Sequence, residues 1–202
     1  MKKKMETKRM VLLAVLMGIL LLMSFTPLGY LNIGPLAVTL NMIPVAIGAI
    51  ALGPSAGAVL GAVFGITSCL QCIGFGGSSA MGAAMFGINP TLTWIQRFVP
   101  RLCAGWFVGW VYVQMKKLTK SGVIAFIAGF LAAFMNTVLF MGALIGLFWN
   151  TDYLQDLVNG QNVLVFVCTF VGINALVEML ASTVIVGSVC VALKKSHLIG
   201  GK

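Results

Sequence analysis

The sequence predicts an all-α integral membrane protein, a single bundle of six transmembrane helices occupying residues 1–202 as one membrane domain. Three observations predict it. The chain is 60% hydrophobic and only 8% charged, whereas a soluble domain has roughly a quarter of its residues charged. Its mean hydropathy of +1.06 leaves too little polar surface to wrap a water-facing globule, so the bilayer is the solvent. Six apolar stretches approach the ~20 residues, ~17 at the low end, that a spanning helix needs, and together they nearly exhaust the chain.

The third observation is where the charge lies. The net charge of +9 comes in clusters. Lys2, Lys3, Lys4, Lys8 and Arg9 precede the first apolar stretch; Lys116, Lys117 and Lys120 share one loop; Lys194, Lys195 and Lys202 end the chain. Basic clusters at alternate span ends are the positive-inside pattern. They place both termini in the cytoplasm of a multi-pass plasma-membrane protein and argue against nucleic-acid binding. The three outer loops carry no Lys or Arg.

The first span is predicted at 10–25; Ser24, Phe25, Thr26 and Pro27 form no small-x-small cleavage site, so it reads as retained rather than as a signal peptide. Residues 26–39 read as a loop with a short extended piece, holding Pro27, Gly29, Gly34 and Pro35. The second span, 36–52 (or from Asn41), is short and therefore tilted or packed inside protein. Gly53, Pro54 and Ser55 turn the chain into the third span, 55–70. Residues 71–90 are the longest polar stretch and read as a long, part-ordered outer loop. Asn89 then Pro90 are a helix start, a cap followed by a residue with no N–H to satisfy. The remaining spans are predicted at 91–115, 123–149 and 163–193, with a polar connection at 150–162.

Gly53, Gly57, Gly61 and Gly65 recur every four residues, and Gly105 and Gly109 repeat the device. In lipid, such stripes let helix backbones approach closely, so the third span is expected at the centre of the bundle. Ala14 and Gly18 form a similar pair on the first span; internal packing and a docking surface for another membrane subunit both remain open for it.

The chemistry-bearing residues lie within the spans. Arg97 and Arg101 share one helix face, at i and i+4. Counted from Pro90, they lie ~10 Å and ~17 Å into the helix. A central Arg costs at least ~2.5–3.5 kcal/mol, so each needs a partner or a wet cavity. Pro100, between them, removes an N–H and is expected to open the helix at the Gln96 carbonyl. Glu178 is the sole acidic residue inside a span. An Arg101–Glu178 pair would leave Arg97 to an anionic ligand, to stacking on Trp94, or to water. Asn41, Gln71, Gln96, Asn136 and Asn174 could line a solute pocket with Trp94, or glue helices together. Trp149 and Tyr153 fall near the outer ends.

Several classes are excluded. The chain has no GxxxxGK[ST] or HExxH motif, its one His, His197, lies in the tail, and no nucleophile–base pair is available, so an enzyme is not expected. No cofactor is implied. Cys69 and Cys72 form a lone CxxC without a nearby His, which argues against a metal site and leaves a disulfide or plain packing. Cys103, Cys168 and Cys190 read as small hydrophobes. A self-sufficient secondary carrier would show an internal repeat and more intramembrane carboxylates. A structural or regulatory subunit, all of whose amides are glue, stays open.

Specific runs then carry a resemblance. Residues 26–36 (TPLGYLNIGPL), 39–49 (TLNMIPVAIGA), 52–57 (LGPSAG), 61–65 (GAVFG) and 99–105 (VPRLCAG), together with Asn136 and Thr137, resemble the substrate-binding S component of energy-coupling factor (ECF) vitamin transporters over nearly the whole chain. Asn41 stands where many relatives have His. The resemblance implies six helices around a solute pocket near the outer side, a partner membrane scaffold, and two ATPase subunits that power transport. It implies that the first-helix pair Ala14 and Gly18 docks to the scaffold and that the S component topples in the membrane to release its vitamin. It points to the pantothenate-type group, whose solute carries one carboxylate suited to Arg97.

Overall fold

The computed structural model describes residues 7–26, 29–32, 37–76, 79–119 and 121–196. Lys2, Lys3, Lys4, Pro27, Gly34, Pro35, Leu36, Lys120, His197 and Lys202 lie outside the described residues. The order is α1 (Thr7–Phe25), β1 (Tyr30–Asn32), β2 (Ala37–Thr39), α2 (Met42–Leu52), α3 (Pro54–Cys72), α4 (Ala80–Ile88), α5 (Pro90–Leu118), α6 (Val123–Phe148), α7 (Asp152–Val158) and α8 (Val163–Lys195). Among the described residues the regular structure is helical apart from one antiparallel hairpin, in which Tyr30 pairs with Thr39 and Asn32 with Ala37.

Among the described residues, four helices, α1, α3, α6 and α8, are long and apolar enough to cross a membrane. Two of the six predicted spans differ from expectation. α2 has 11 residues, about 16 Å of helix, too short to cross a ~30 Å hydrocarbon core by itself. Ten of its residues are buried, so it is an internal plug sheathed by protein. α5 has 29 residues, but Gln96, Arg97, Arg101, Lys116 and Lys117 dilute its apolar character.

Two loops predicted as irregular contain helix. Within 71–90, Ser79 Oγ accepts from the Gly82 N–H at 3.1 Å and starts α4. Within 150–162, Thr151 Oγ1 accepts from the Leu154 N–H and starts α7. In both cases a hydroxyl satisfies a first-turn N–H that would otherwise lack a partner. At the predicted start of α5, Asn89 Oδ1 accepts from the Leu92 N–H at 3.2 Å, with Pro90 in the first turn.

The glycine stripe of α3 faces α5. A methyl on Gly57 would strike the Gly105 carbonyl, one on Gly61 the Arg101 carbonyl, and one on Gly65 the backbone and ring of Phe98; Gly109 abuts Pro54. The two backbones therefore touch, which only glycine permits, and α3 is central as its spacing predicts. Ala14 and Gly18 lie instead on an exposed face of α1, and a methyl on Gly18 would meet open space.

Apolar side chains form two separate cores. The larger gathers around α2, with Leu16 and Leu20 of α1, Leu60 and Phe64 of α3, Ala104 and Val108 of α5, Ala128 and Ala132 of α6, and Val186 of α8. The smaller joins Met81 and Met85 of α4 to Met141, Leu144 and Phe148 of α6, Leu154 and Val158 of α7, and Phe166 of α8. The described basic chain ends collect beyond the larger core. Arg9 Nη2 donates to the Leu52 carbonyl at 2.6 Å, placing a cation on the negative end of the α2 dipole. Lys116, Lys117, Lys194 and Lys195 end α5 and α8. Asp152 and Asp156 lie on α7, against the smaller core.

Candidate functional site

Along α5, α6 and α8, the residues between the two cores are polar. On α5 they are Gln96, Arg97 and Arg101; on α6, Asn136; on α8, Asn174, Glu178 and Ser182. Each is buried; Arg97 and Arg101 on α5, and Asn174, Glu178 and Ser182 on α8, stand one turn apart, so on each helix they project on one face. The result is a polar layer between two apolar clusters.

Arg97 and Arg101, 6% and 3% exposed, are the charged pair of this layer. The ring of Phe140 lies 5.3 Å from the Arg97 guanidinium and 5.1 Å from that of Arg101, and Phe64 lies 4.6 Å from Arg101. These distances are within the range of cation–π attraction. Arg101 Nη1 also donates to the Arg97 carbonyl at 2.6 Å. The expected break at Pro100 is absent: α5 runs on through it as one helix, with Arg101 folded back onto the preceding turn. Nor does Arg97 stack on Trp94; it lies over Phe140. Trp94, three residues before it, is 41% exposed and points away from the layer.

Glu178 lies within electrostatic reach of Arg101, as the expected pairing requires. Its Oε1 also accepts from the Thr39 N–H at 2.6 Å. The one acid inside a span thus ties the end of the β-hairpin to α8. Arg97 has no carboxylate in contact among the described residues. Its Nη2 donates to Ser79 Oγ at 3.4 Å, and its Nε has no hydrogen-bond partner.

Several other buried polar atoms have no hydrogen-bond partner among the described residues. They include both amide atoms of Asn41, both of Gln96, Asn136 Oδ1, and the hydroxyls of Ser68, Thr26 and Thr39. A buried polar group left unsatisfied costs about 1–3 kcal/mol, and native interiors contain few. Gln71 differs: its Nε2 donates to the Ser24 carbonyl at 2.7 Å, joining α3 to α1. Asn174 is buried on α8, one turn before Glu178.

Cys69 and Cys72 are buried free thiols. Cys72 Sγ donates to the Ser68 carbonyl at 3.4 Å, and Cys69 Sγ lies 3.9 Å from the Trp94 carbonyl.

The structure therefore brings Gln96, Arg97, Arg101, Asn136 and Asn174 into one layer, sets Asn41 in the core beneath the hairpin, engages Gln71 in a helix contact and leaves Trp94 outside. Sequence reasoning missed Phe140, Phe64 and Ser79. Phe140 stands one turn from Asn136 on α6, and that spacing could have found it. Ser79, directly before an apolar run, carried a helix-start signal.

The chain matches the family described as ECF transporter, substrate-specific component, over residues 8–189. It is 29% identical over 193 residues to a protein named pantothenate transporter PanT, from Leuconostoc mesenteroides subsp. mesenteroides, with 91% of each chain covered. Because the family match runs over nearly its whole length, the chain belongs to the substrate-specific components of ECF transporters.

Proposed function

We propose that the protein captures a small anionic vitamin or precursor, pantothenate foremost, from outside the cell and delivers it inward together with a membrane scaffold and two ATPase subunits. Membership in a transport family already makes it a transport component and not an enzyme. The observation that carries the solute reading is Arg97: a buried guanidinium with no carboxylate in contact among the described residues, an unused Nε, and unsatisfied amides in the same polar layer. A carboxylate would neutralise Arg97 through charge-assisted hydrogen bonds, while Gln96, Asn136 and Asn41 have unused atoms suited to a solute's hydroxyl and amide groups. Arg101 and Asn174 line the same layer in this reading. The pantothenate transporter relative supports that choice of solute.

The whole chain acts in this proposal as one membrane unit of six crossings, with α2 sheathed inside it and α5 holding its arginines against protein. The basic ends face the cytoplasm and the hairpin, α4 and α7 face outward. Ala14 and Gly18, open on α1, would let a scaffold helix approach closely. Ala14→Leu with Gly18→Leu should then abolish co-purification with the scaffold while solute affinity is kept; intact co-purification would refute the docking role.

The direct test is calorimetric titration of the purified protein with pantothenate, beside Arg97→Ala. Wild type should bind and be thermally stabilised by the solute, and the variant should lose at least ~tenfold in affinity. Equal affinity in the two would remove the anion reading. A solute-free structural subunit is the rival; it finds support at Gln71, which joins α3 to α1, and at Ser182, which donates to the Gly129 carbonyl across α8 and α6.

A further inference from the structure

We propose that Ser79 is a specificity-determining contact of the solute site: its hydroxyl, held between the first turn of α4 and the Arg97 guanidinium, donates to the carboxylate that Arg97 receives. This rests on the anionic-solute reading given above.

Ser79 Oγ accepts from the Gly82 N–H at 3.1 Å and from Arg97 Nη2 at 3.4 Å. Both neighbours can only donate, and a hydroxyl has two acceptor lone pairs and one proton. With both lone pairs engaged, the proton must point in a third direction, and among the described residues it meets no acceptor. The site therefore presents a neutral O–H donor beside a cation, the donor set that a carboxylate completes.

The two bonds differ in strength. The contact to Gly82 is an ordinary helix cap. The contact to Arg97, at 3.4 Å, lies beyond the usual 2.7–3.2 Å for N–H···O. Charge-assisted bonds to a carboxylate are shorter, ~2.7–2.9 Å, and Arg97 Nε, which has no hydrogen-bond partner among the described residues, offers an arriving anion such a bond while Nη2 and the cap stay on Ser79. Ser79 then holds Arg97 in position before the solute arrives and becomes a second donor to it afterwards.

Gly82 shows how tightly α4 closes on this point. A methyl there would stand 3.0 Å from Arg97 Nη2, 3.0 Å from Ser79 Oγ and 2.7 Å from Cys72 Sγ. The α4 backbone thus lies directly against the guanidinium. Met81 and Met85 anchor the helix in the smaller core, so Ser79 is presented from a fixed support. Its own burial is intermediate.

Ser79→Asp separates this role from capping alone. Asp caps a helix as well as Ser, yet it would put a permanent carboxylate beside Arg97. The experiment measures dissociation constants for pantothenate and for its primary-alcohol analogue, in which CH2OH replaces the carboxylate, on wild type, Ser79→Asp, Ser79→Thr and Arg97→Ala. Ser79→Asp should weaken acid binding at least about tenfold more than alcohol binding, and Ser79→Thr, which keeps cap and hydroxyl, should restore the wild-type ratio. An unchanged acid-to-alcohol ratio in Ser79→Asp, with wild type binding the acid and Arg97→Ala losing it, would overturn the role of Ser79 alone. Failure of wild type to bind the acid would overturn the solute reading and this role with it.

Discussion

The two halves of α5 lie in the same helix and solve opposite problems. From Ala104 onward it is packed shut: Gly105 meets the Gly57 backbone, Gly109 meets Pro54, and Ala104 and Val108 enter the larger core. Before that point it carries Gln96, Arg97 and Arg101, buried among polar atoms, several of which have no hydrogen-bond partner among the described residues. Both halves touch α3, but the half from Ala104 is satisfied within the chain, whereas the other holds buried polar atoms that have no hydrogen-bond partner among the described residues. In lipid, where close packing rather than water exclusion drives helices together, the dry seam supplies the stability that lets the polar layer remain unsatisfied.

That contrast can be broken first at the seam. Gly57→Leu places a side chain on the Gly105 carbonyl and should cost about 3 kcal/mol, the upper end of typical overpacking. Its melting midpoint in detergent should fall sharply; a near-wild-type midpoint would mean that α3 and α5 are not in backbone contact. Arg97→Ala should do the reverse, keeping the midpoint while solute affinity drops by one to two orders of magnitude. A large loss of stability there would show that the guanidinium supports the fold instead.

A smaller effect sharpens the boundary at the hairpin. Glu178→Ala removes the acceptor of the Thr39 N–H and should speed amide exchange at Thr39 by roughly tenfold or more, with exchange inside α3 little changed. The smallest effect is expected at Gln71→Ala. Loss of its bond to Ser24 should lower stability by only about 0.6 kcal/mol, the average for such contacts in membranes, and leave solute affinity as it was. Loss of binding in that variant would move Gln71 from helix contact to solute contact.

Much of the fold is legible in the residues. The apolar stretches locate α1, α3, α6 and α8 to within a few residues, Asn89 and Pro90 mark where α5 starts, and the four-residue glycine spacing identifies α3 as central. α4 and α7 escape notice because they are short and their caps lie within polar stretches that look like loop. Of the site, Arg97, Arg101 and the amides are visible because polar groups at depth in lipid demand an explanation. Which amides are already engaged is not visible: Gln71 and Asn136 look alike in sequence, yet Gln71 finds the Ser24 carbonyl while Asn136 Oδ1 finds no partner among the described residues.

Taken alone, the amino-acid sequence determined the solvent, the spacing of the close-packed seam, and the presence of two arginines against one intramembrane acid. Those follow from composition and helical period, which are local properties of the chain. Only the tertiary structure decided that α2 is an internal plug, that both arginines share Phe140, that Glu178 holds the hairpin, and that Ser79 meets Arg97. Each of these joins different elements, and whether a buried polar atom is satisfied depends on what another part of the chain brings within 3.5 Å or so of it.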